Sequence, residues 1–232
     1  MRKVNDPIPR RAGRPMNPFL PMAVAAVVVI LCAPAFYLSS GEGYGDVKRL
    51  ASVKCLGCLG LDPVVPGFKS FWTDYPSGHA KQGQEVPHPS VVLSALDRID
   101  TSIVVLFFWT QGCVPCAEQW EEMREEDIAS GPEDGGREGD RYDELTMFSL
   151  DASIMDPIDL EFNGTAYPAV PNDLFWTYHY TGDPSANGVP ATVFMFKKSG
   201  TVNWYMFYGK MDIDVFEGMM TRILYHEIAH ST

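Results

Sequence analysis

The stretch that most constrains the fold of this chain is a continuous run of β-branched and aromatic residues at 102–110, SIVVLFFWT. A run that is apolar at nearly every position is typical of a strand buried at the centre of a sheet, often a parallel one. Within a few residues it leads into VPCAEQWEEMREEDIA, a helix-favouring stretch with an acidic face. Since a sheet buried on both faces needs helices on both sides, these two segments indicate an α/β fold.

Neighbouring segments continue the alternation of helices and strands. Residues 88–99 predict a helix, because Pro89 suits the first turn and apolar residues recur at helical spacing. The other predicted elements are a strand at 145–151, a hairpin at 191–209, an amphipathic closing helix at 211–230 and a candidate strand at 67–75. Between them we expect a polar, glycine-rich loop at 130–144 and an aromatic-rich insertion at 152–185 with one short helix.

The first 38 residues differ in composition from the rest of the chain. Residues 1–17 are a basic tail with five Arg or Lys residues and one acid, and residues 18–38 carry no charge. About 20 apolar residues in a helix span a bilayer, and an excess of positive charge before the span keeps the N-terminus in the cytoplasm. This predicts one transmembrane helix in the cytoplasmic membrane, with the C-terminal domain outside the cytoplasm. A cleaved signal peptide, with APA at 33–35 as its cleavage site, is the alternative.

Charge and cysteine content describe the exported part of the chain. Residues 18–232 carry 13 basic and 29 acidic side chains, which excludes nucleic acid as an expected partner.

Cys32 lies inside the apolar span, and the other four cysteines form two CxxC pairs in a compartment where disulfides persist. Residues 39–88 hold the first pair in a segment rich in Gly and Pro, and NGT at 163–165 is a glycosylation acceptor motif.

The second CxxC pair, CVPC, lies where a helix begins after the buried strand. Cys113 is expected at the helix N-terminus, where the helix dipole and free backbone N–H groups favour thiolate over thiol. Because the thiolate is the attacking species in disulfide exchange, this position predicts that Cys113 is a nucleophile. Cys116 is expected one turn into the helix, more buried, where it can attack the mixed disulfide and release the product.

FFWTQGCVPC, followed much later by NGVPATVFMF, resembles the thioredoxin family. Phe108 and Trp109 align with the aromatic pair that precedes the family's redox cysteines, and CVPC aligns with its CGPC motif. Gly188, Val189 and Pro190 align with its loop, whose proline is cis. The resemblance covers residues 89–232, with insertions near 130–144 and 152–185. It implies a thioredoxin-like fold, a central mixed sheet flanked by helices.

The resemblance also implies an activity, protein disulfide oxidoreduction, and a set of site residues. Cys113 and Cys116 would be catalytic, and Val189 would offer its backbone N–H and C=O to an extended substrate. The substrate-binding residues that it implies are Trp109, Val114, Pro115, Val189 and Pro190. Protein disulfides or dithiols would be the substrates, a membrane thiol carrier would supply electrons, and no bound organic cofactor is expected.

Three residues depart from the family pattern. Gly112 replaces the tryptophan just before the first cysteine and opens the site surface, and Val114 replaces the glycine within the pair. Phe107 replaces the buried acid that accepts the proton of the second thiol, so efficient general-base assistance is in doubt. These departures support an alternative, a non-catalytic binding module of the same fold that holds a partner with the 152–185 insertion. An inert structural disulfide is the remaining reading of Cys113 and Cys116.

Two further motifs contain potential metal ligands. Cys55 and Cys58 fit four readings: a redox relay with CVPC, a structural disulfide, half of a four-cysteine zinc site, or half of a site shared with another chain. The 54-residue gap between the pairs is long for zinc. HEIAH at 226–230 matches a zinc-protease pattern, yet it also completes the predicted closing helix and is followed by no third ligand. We therefore expect no metal.

Overall fold

The computed structural model describes residues 65, 68–98, 101–180 and 188–228, which lie within one compact unit, Leu56–Thr232. It contains four α-helices and eight strands among its described residues. In chain order they are α1 Ser90–Leu96, β1 Ile103–Trp109, α2 Val114–Glu125, β2 Ala129–Ser130, β3 Arg137–Glu138, β4 Leu145–Asp151, β5 Ile158–Phe162, β6 Thr165–Ala169, α3 Pro171–Tyr178, β7 Ala191–Lys198, β8 Thr201–Tyr208 and α4 Ile213–Arg222, which continues as a π-helical end over Ile223–Ile228.

The main sheet has four strands in the order β4-β1-β7-β8. β1 pairs with β4 in parallel, while β1 with β7 and β7 with β8 are antiparallel, so the sheet is mixed. All seven residues of β1 are buried, as its unbroken apolar sequence predicts. β2 pairs with β3 and β5 with β6 in two small separate sheets.

The strand register brings two distant segments of the chain together at one end of the two central strands, β1 and β7. Phe108, near the end of β1, lies opposite Ala191, the first residue of β7. The segment that follows β1 therefore lies beside the segment that precedes β7. These two segments carry the CVPC pair and Pro190.

Each face of the main sheet is covered by its own group of buried side chains. One group joins α1 and α3 to the sheet through residues such as Val92, Phe108 and Trp204. The other joins α2 and α4 to the opposite face and contains Phe107 and Cys116 among others. Alternate residues of β1 thus serve opposite cores, as a strand buried on both sides requires.

The predicted α/β class with a mixed central sheet flanked by helices is confirmed, and three local predictions need correction. The predicted strand at 67–75 is wrong over its described residues, 68–75, which make only isolated bridges from Trp72 to Trp204 and from Asp74 to Glu85. The 130–144 loop contains part of the short β2–β3 pair. The 152–185 insertion holds a β-hairpin, β5–β6, in addition to the one expected helix, α3.

Within the described part of the chain, no helix combines the length and the apolar character that crossing a membrane requires. The predicted span at 18–38 lies outside the described residues, as do the basic tail, Cys32, Cys55 and Cys58.

His88 forms a polar contact between the start of α1 and the end of α3. Its Nδ1 lies 3.0 Å from the hydroxyl of Tyr178, and burial lowers the pKa of His88 to about 4. Burial also raises the pKa of Tyr178, so both groups are neutral in the folded protein near pH 7. The neutral histidine is therefore the form that the fold accommodates.

We expect His88 to make stability depend on pH below neutrality. An unfolded histidine titrates near about 6.5, so the unfolded state binds more protons than the folded state between that pH and about 4. The contribution of His88 is constant above pH 6.5, and stability falls as pH drops through this window, by about 1–2 kcal/mol after discounting for partial exposure. Urea unfolding of wild type and His88→Gln at pH 7 and pH 4.5 measures this loss. Equal losses in the two proteins would contradict the assignment.

Candidate redox site

Cys113 and Cys116 form a disulfide at the start of α2, with their Cα atoms 5.3 Å apart. Cys113 is the N-cap residue, and a proline follows within the first helical turn. The backbone N–H of Cys116 donates a hydrogen bond to Cys113 Sγ at 3.2 Å. Together with the helix dipole, this bond stabilises negative charge on Cys113 Sγ once the disulfide is reduced.

The two cysteines differ in solvent access. Cys116 is 0% exposed, whereas Cys113 is only partly buried. Beside them Val114 is 67% exposed, and Gly112 has a positive φ of 80° with no atom within 4 Å of the position a Cβ would take. The surface is therefore open on the side of Cys113, which is where an attacking nucleophile must be.

The loop before β7 faces the disulfide. The Val189–Pro190 peptide bond is cis, as the resemblance implied, and the carbonyl oxygen of Val189 lies 3.7 Å from Cys113 Sγ. The carbonyl of Pro190 accepts a hydrogen bond from the backbone N–H of Gly209 at 2.8 Å. The predicted catalytic pair and the backbone of Val189 are thus in direct contact.

Aromatic side chains lie beneath the pair. Phe107 is 0% exposed and packs on Trp120 with ring centroids 5.5 Å apart, in the same core group as Cys116. Trp109 belongs to this group and is 8% exposed, so it supports the site from the core and offers little surface to a substrate. Since Phe107 carries no titratable group, it cannot accept the proton of the Cys116 thiol.

Gln119 was not predicted as a site residue, although it is the one buried polar side chain on the core-facing side of α2. Gln119 is 1% exposed and hydrogen-bonds both to Thr192 on β7 and to the turn between β8 and α4. Glutamine is ordinary on the surface of a helix, so its burial follows from tertiary packing. The only local signal is its place three residues after Cys116, on the same helix face.

The HEIAH motif has a structural role in its described part. Glu227 lies in the π-helical end, and its carboxylate pairs with Lys198 Nζ at 2.8 Å. Across the described ranges, no group of three His, Cys, Asp or Glu side chains is placed to hold a metal ion. His230 lies outside those ranges.

Selective alkylation tests the difference in access between the two cysteines. We expect iodoacetamide to modify Cys113 of the reduced protein at least about tenfold faster than Cys116, because the thiolate at the helix N-terminus is both favoured and accessible. Peptide mass spectrometry after short labelling times separates the two sites from the other cysteines. Cys116→Ser, the matched control, should leave the Cys113 rate high, and comparable rates at the two sites in wild type would argue against the assignment.

No family model, curated protein or solved structure matches the chain.

Proposed function

We propose that this chain is a thiol–disulfide oxidoreductase of thioredoxin-like fold that acts on protein disulfides outside the cytoplasmic membrane. The observation that carries the proposal is the asymmetric pair at the start of α2. Cys113 is accessible and bonded by a helix N–H, Cys116 is fully buried, and Cys113 Sγ faces the backbone of Val189. A purely structural disulfide needs neither a partly exposed cysteine nor the adjacent backbone.

The reaction follows ordinary thiol–disulfide exchange. The Cys113 thiolate attacks one sulfur of a substrate disulfide, forming a mixed disulfide and releasing the other substrate sulfur as a thiolate. The Cys116 thiolate then attacks Cys113 Sγ, re-forms the Cys113–Cys116 disulfide and releases the second substrate thiolate. Two electrons pass from the pair to the substrate, and the two thiols of the pair supply the two protons that the product thiolates take up. Each step is reversible.

The loop before β7 would position the substrate. An extended substrate chain that pairs with the backbone of Val189 would place its cysteine against Cys113 Sγ, since the carbonyl oxygen of Val189 lies 3.7 Å from that sulfur. Val114 and Pro115 would line the exposed side of the contact. The mixed four-stranded sheet with helices on both faces supports the thioredoxin-like assignment.

The electron source and the tether belong to the same proposal. A membrane thiol carrier would return electrons to the oxidised pair, and the apolar segment at 18–38 would hold the domain beside it. Cys55 and Cys58 would pass electrons between that carrier and Cys113–Cys116 by further disulfide exchange. The acidic exported part would keep the domain soluble and away from nucleic acid.

Reduction of insulin by the full-length chain tests the proposal, with dithiothreitol as the electron source. We expect the chain to accelerate insulin precipitation over the dithiothreitol reaction alone. The matched control is the chain alkylated with iodoacetamide after reduction, which should lose the acceleration. Equal rates with and without the unmodified chain would overturn the proposal.

A non-catalytic binding module is the second candidate. The observation that favours it is Trp176 on α3, which is 54% exposed within the aromatic insertion. A binding module would show no turnover that depends on Cys113. The insulin assay therefore separates the two functions.

A further inference from the structure

Gln119 is a buried amide in an otherwise apolar helix face. The buried residues of α2 are Cys116, Gln119, Trp120 and Met123. Burying an amide is unfavourable unless its donor and acceptor are both hydrogen-bonded. Its place beside the redox cysteine therefore needs an explanation beyond packing.

Both ends of the Gln119 amide are bonded, and to different elements. Nε2 donates to Thr192 Oγ1 at 3.3 Å, and Oε1 accepts from the backbone N–H of Met211 at 3.0 Å. Thr192 is 0% exposed and lies on β7 two residues after Pro190. One side chain thus connects the redox helix, the strand that begins after Pro190, and the turn after β8.

Each residue of that turn, 209–211, contacts either α2 or Pro190, the residue just before β7. The N–H of Gly209 donates to the carbonyl of Pro190 at 2.8 Å, and the N–H of Met211 donates to Gln119. Lys210, between them in the sequence, pairs through Nζ with Glu118 and Glu122 of α2 at 3.1 and 2.8 Å. The contacts form a closed ring from α2 to β7, through Pro190 to the turn, and back to α2.

The buried amide is the central link of this ring. The Lys210 ion pairs are exposed, and exposed ion pairs contribute little to positioning because solvent screens them. The two Gln119 bonds are buried, where leaving either partner unpaired is costly. Loss of Gln119 would therefore loosen α2 from both β7 and the turn.

We propose that Gln119 is a positioning residue of the redox site, which holds Cys113 Sγ at a fixed place relative to the backbone of Val189. This inference rests on the proposed function. A polypeptide substrate needs the sulfur and the Val189 backbone in register, whereas a small disulfide reagent needs only the sulfur. Loss of Gln119 should therefore affect protein substrates and spare small ones.

The test compares Gln119→Met with Thr146→Val in the full-length chain. Methionine keeps the length of glutamine and removes both hydrogen bonds. Thr146→Val removes another buried side-chain bond, to Thr101 at 3.1 Å, near the opposite end of β1. We expect Gln119→Met to raise KM for insulin about tenfold with kcat nearly unchanged, and to react with dithionitrobenzoate within about twofold of wild type. Thr146→Val should leave both reactions unchanged.

Hydrogen exchange gives a readout that does not need activity. Gln119→Met should speed amide exchange in residues 188–192 and 209–211, and Thr146→Val should not. Unchanged exchange there, or equal losses with insulin and dithionitrobenzoate, would overturn the positioning role. If wild type fails to reduce insulin, the proposed function fails, and the exchange comparison still decides whether Gln119 holds the ring.

Discussion

Cys113→Ser is expected to abolish disulfide exchange with protein substrates, lowering turnover at least about a thousandfold. Serine at this position keeps the N-cap but cannot supply a thiolate, and the thiolate is the species that attacks a disulfide. The fold should be retained, because a hydroxyl accepts the Cys116 N–H bond as the sulfur does. Insulin reduction and urea unfolding, measured on the same preparation, separate loss of chemistry from loss of structure.

Cys116→Ser is the matched variant, since it leaves the sulfur that we propose to attack and removes the one that we propose to resolve. It should stop after the first step and accumulate a mixed disulfide between Cys113 and substrate, visible by non-reducing electrophoresis. Activity in Cys113→Ser within tenfold of wild type would place the chemistry elsewhere in the chain. In Cys113→Ser, a mixed disulfide that accumulates through Cys116 would reverse the assigned roles.

Trp204→Ala is expected to destabilise the folded protein by about 3–5 kcal/mol. Trp204 is 0% exposed on β8, and its ring lies 5.0 Å from Trp72 and 5.4 Å from Tyr178 between centroids. Its backbone also exchanges two hydrogen bonds with Trp72, each 2.9 Å long. Removing the indole leaves a cavity among these residues, and urea denaturation measures the loss.

Trp176→Ala is the control, because Trp176 is 54% exposed and its loss removes little buried surface. We expect a change within about 0.5 kcal/mol. Trp204→Ala should also make residues 68–75 more sensitive to limited proteolysis, since Trp72 and Tyr75 both pack on this side chain. A stability loss for Trp204→Ala no greater than for Trp176→Ala would show that this core is assigned wrongly.

The central sheet could be predicted because its strands have strong local patterns. The run at 102–110 extends one residue beyond β1 at each end, and the predicted strand at 145–151 matches β4. The hairpin at 191–209 contains β7 and β8, whose turn has positive φ at Ser199 and Gly200. Continuous or alternating apolar residues are the primary sequence signal for such strands.

The hairpin in the insertion was harder to predict, although its turn carries a signal. Asn163 and Gly164 both have positive φ between β5 and β6, as a two-residue hairpin turn requires. β5, IDLEF, alternates apolar and polar residues, but its partner β6, TAYPA, shows no such alternation and includes Pro168, which disfavours a strand. The predicted strand at 67–75 was wrong although its aromatic residues favour a strand. Its aromatic residues pack against β8 side chains without continuous backbone pairing.

The candidate site was predictable where it depends on sequence-adjacent residues. A CxxC pair after a buried strand predicts its own place at a helix N-terminus, and the structure has Cys113 there. The contact with Val189 joins residues 76 positions apart, and only the family resemblance indicated it. Gln119 had no comparable signal, because its partners Thr192 and Met211 are brought to it by the sheet and the following turn.

Thiol trapping across glutathione redox buffers tests the central claim most directly. Wild-type full-length chain is equilibrated in each buffer, alkylated and analysed by peptide mass spectrometry. An exchanging pair should titrate reversibly between dithiol and disulfide as the glutathione ratio changes, with a potential above about −300 mV. Cys113–Cys116 remaining fully oxidised in every buffer would mark it as a structural disulfide and contradict the account.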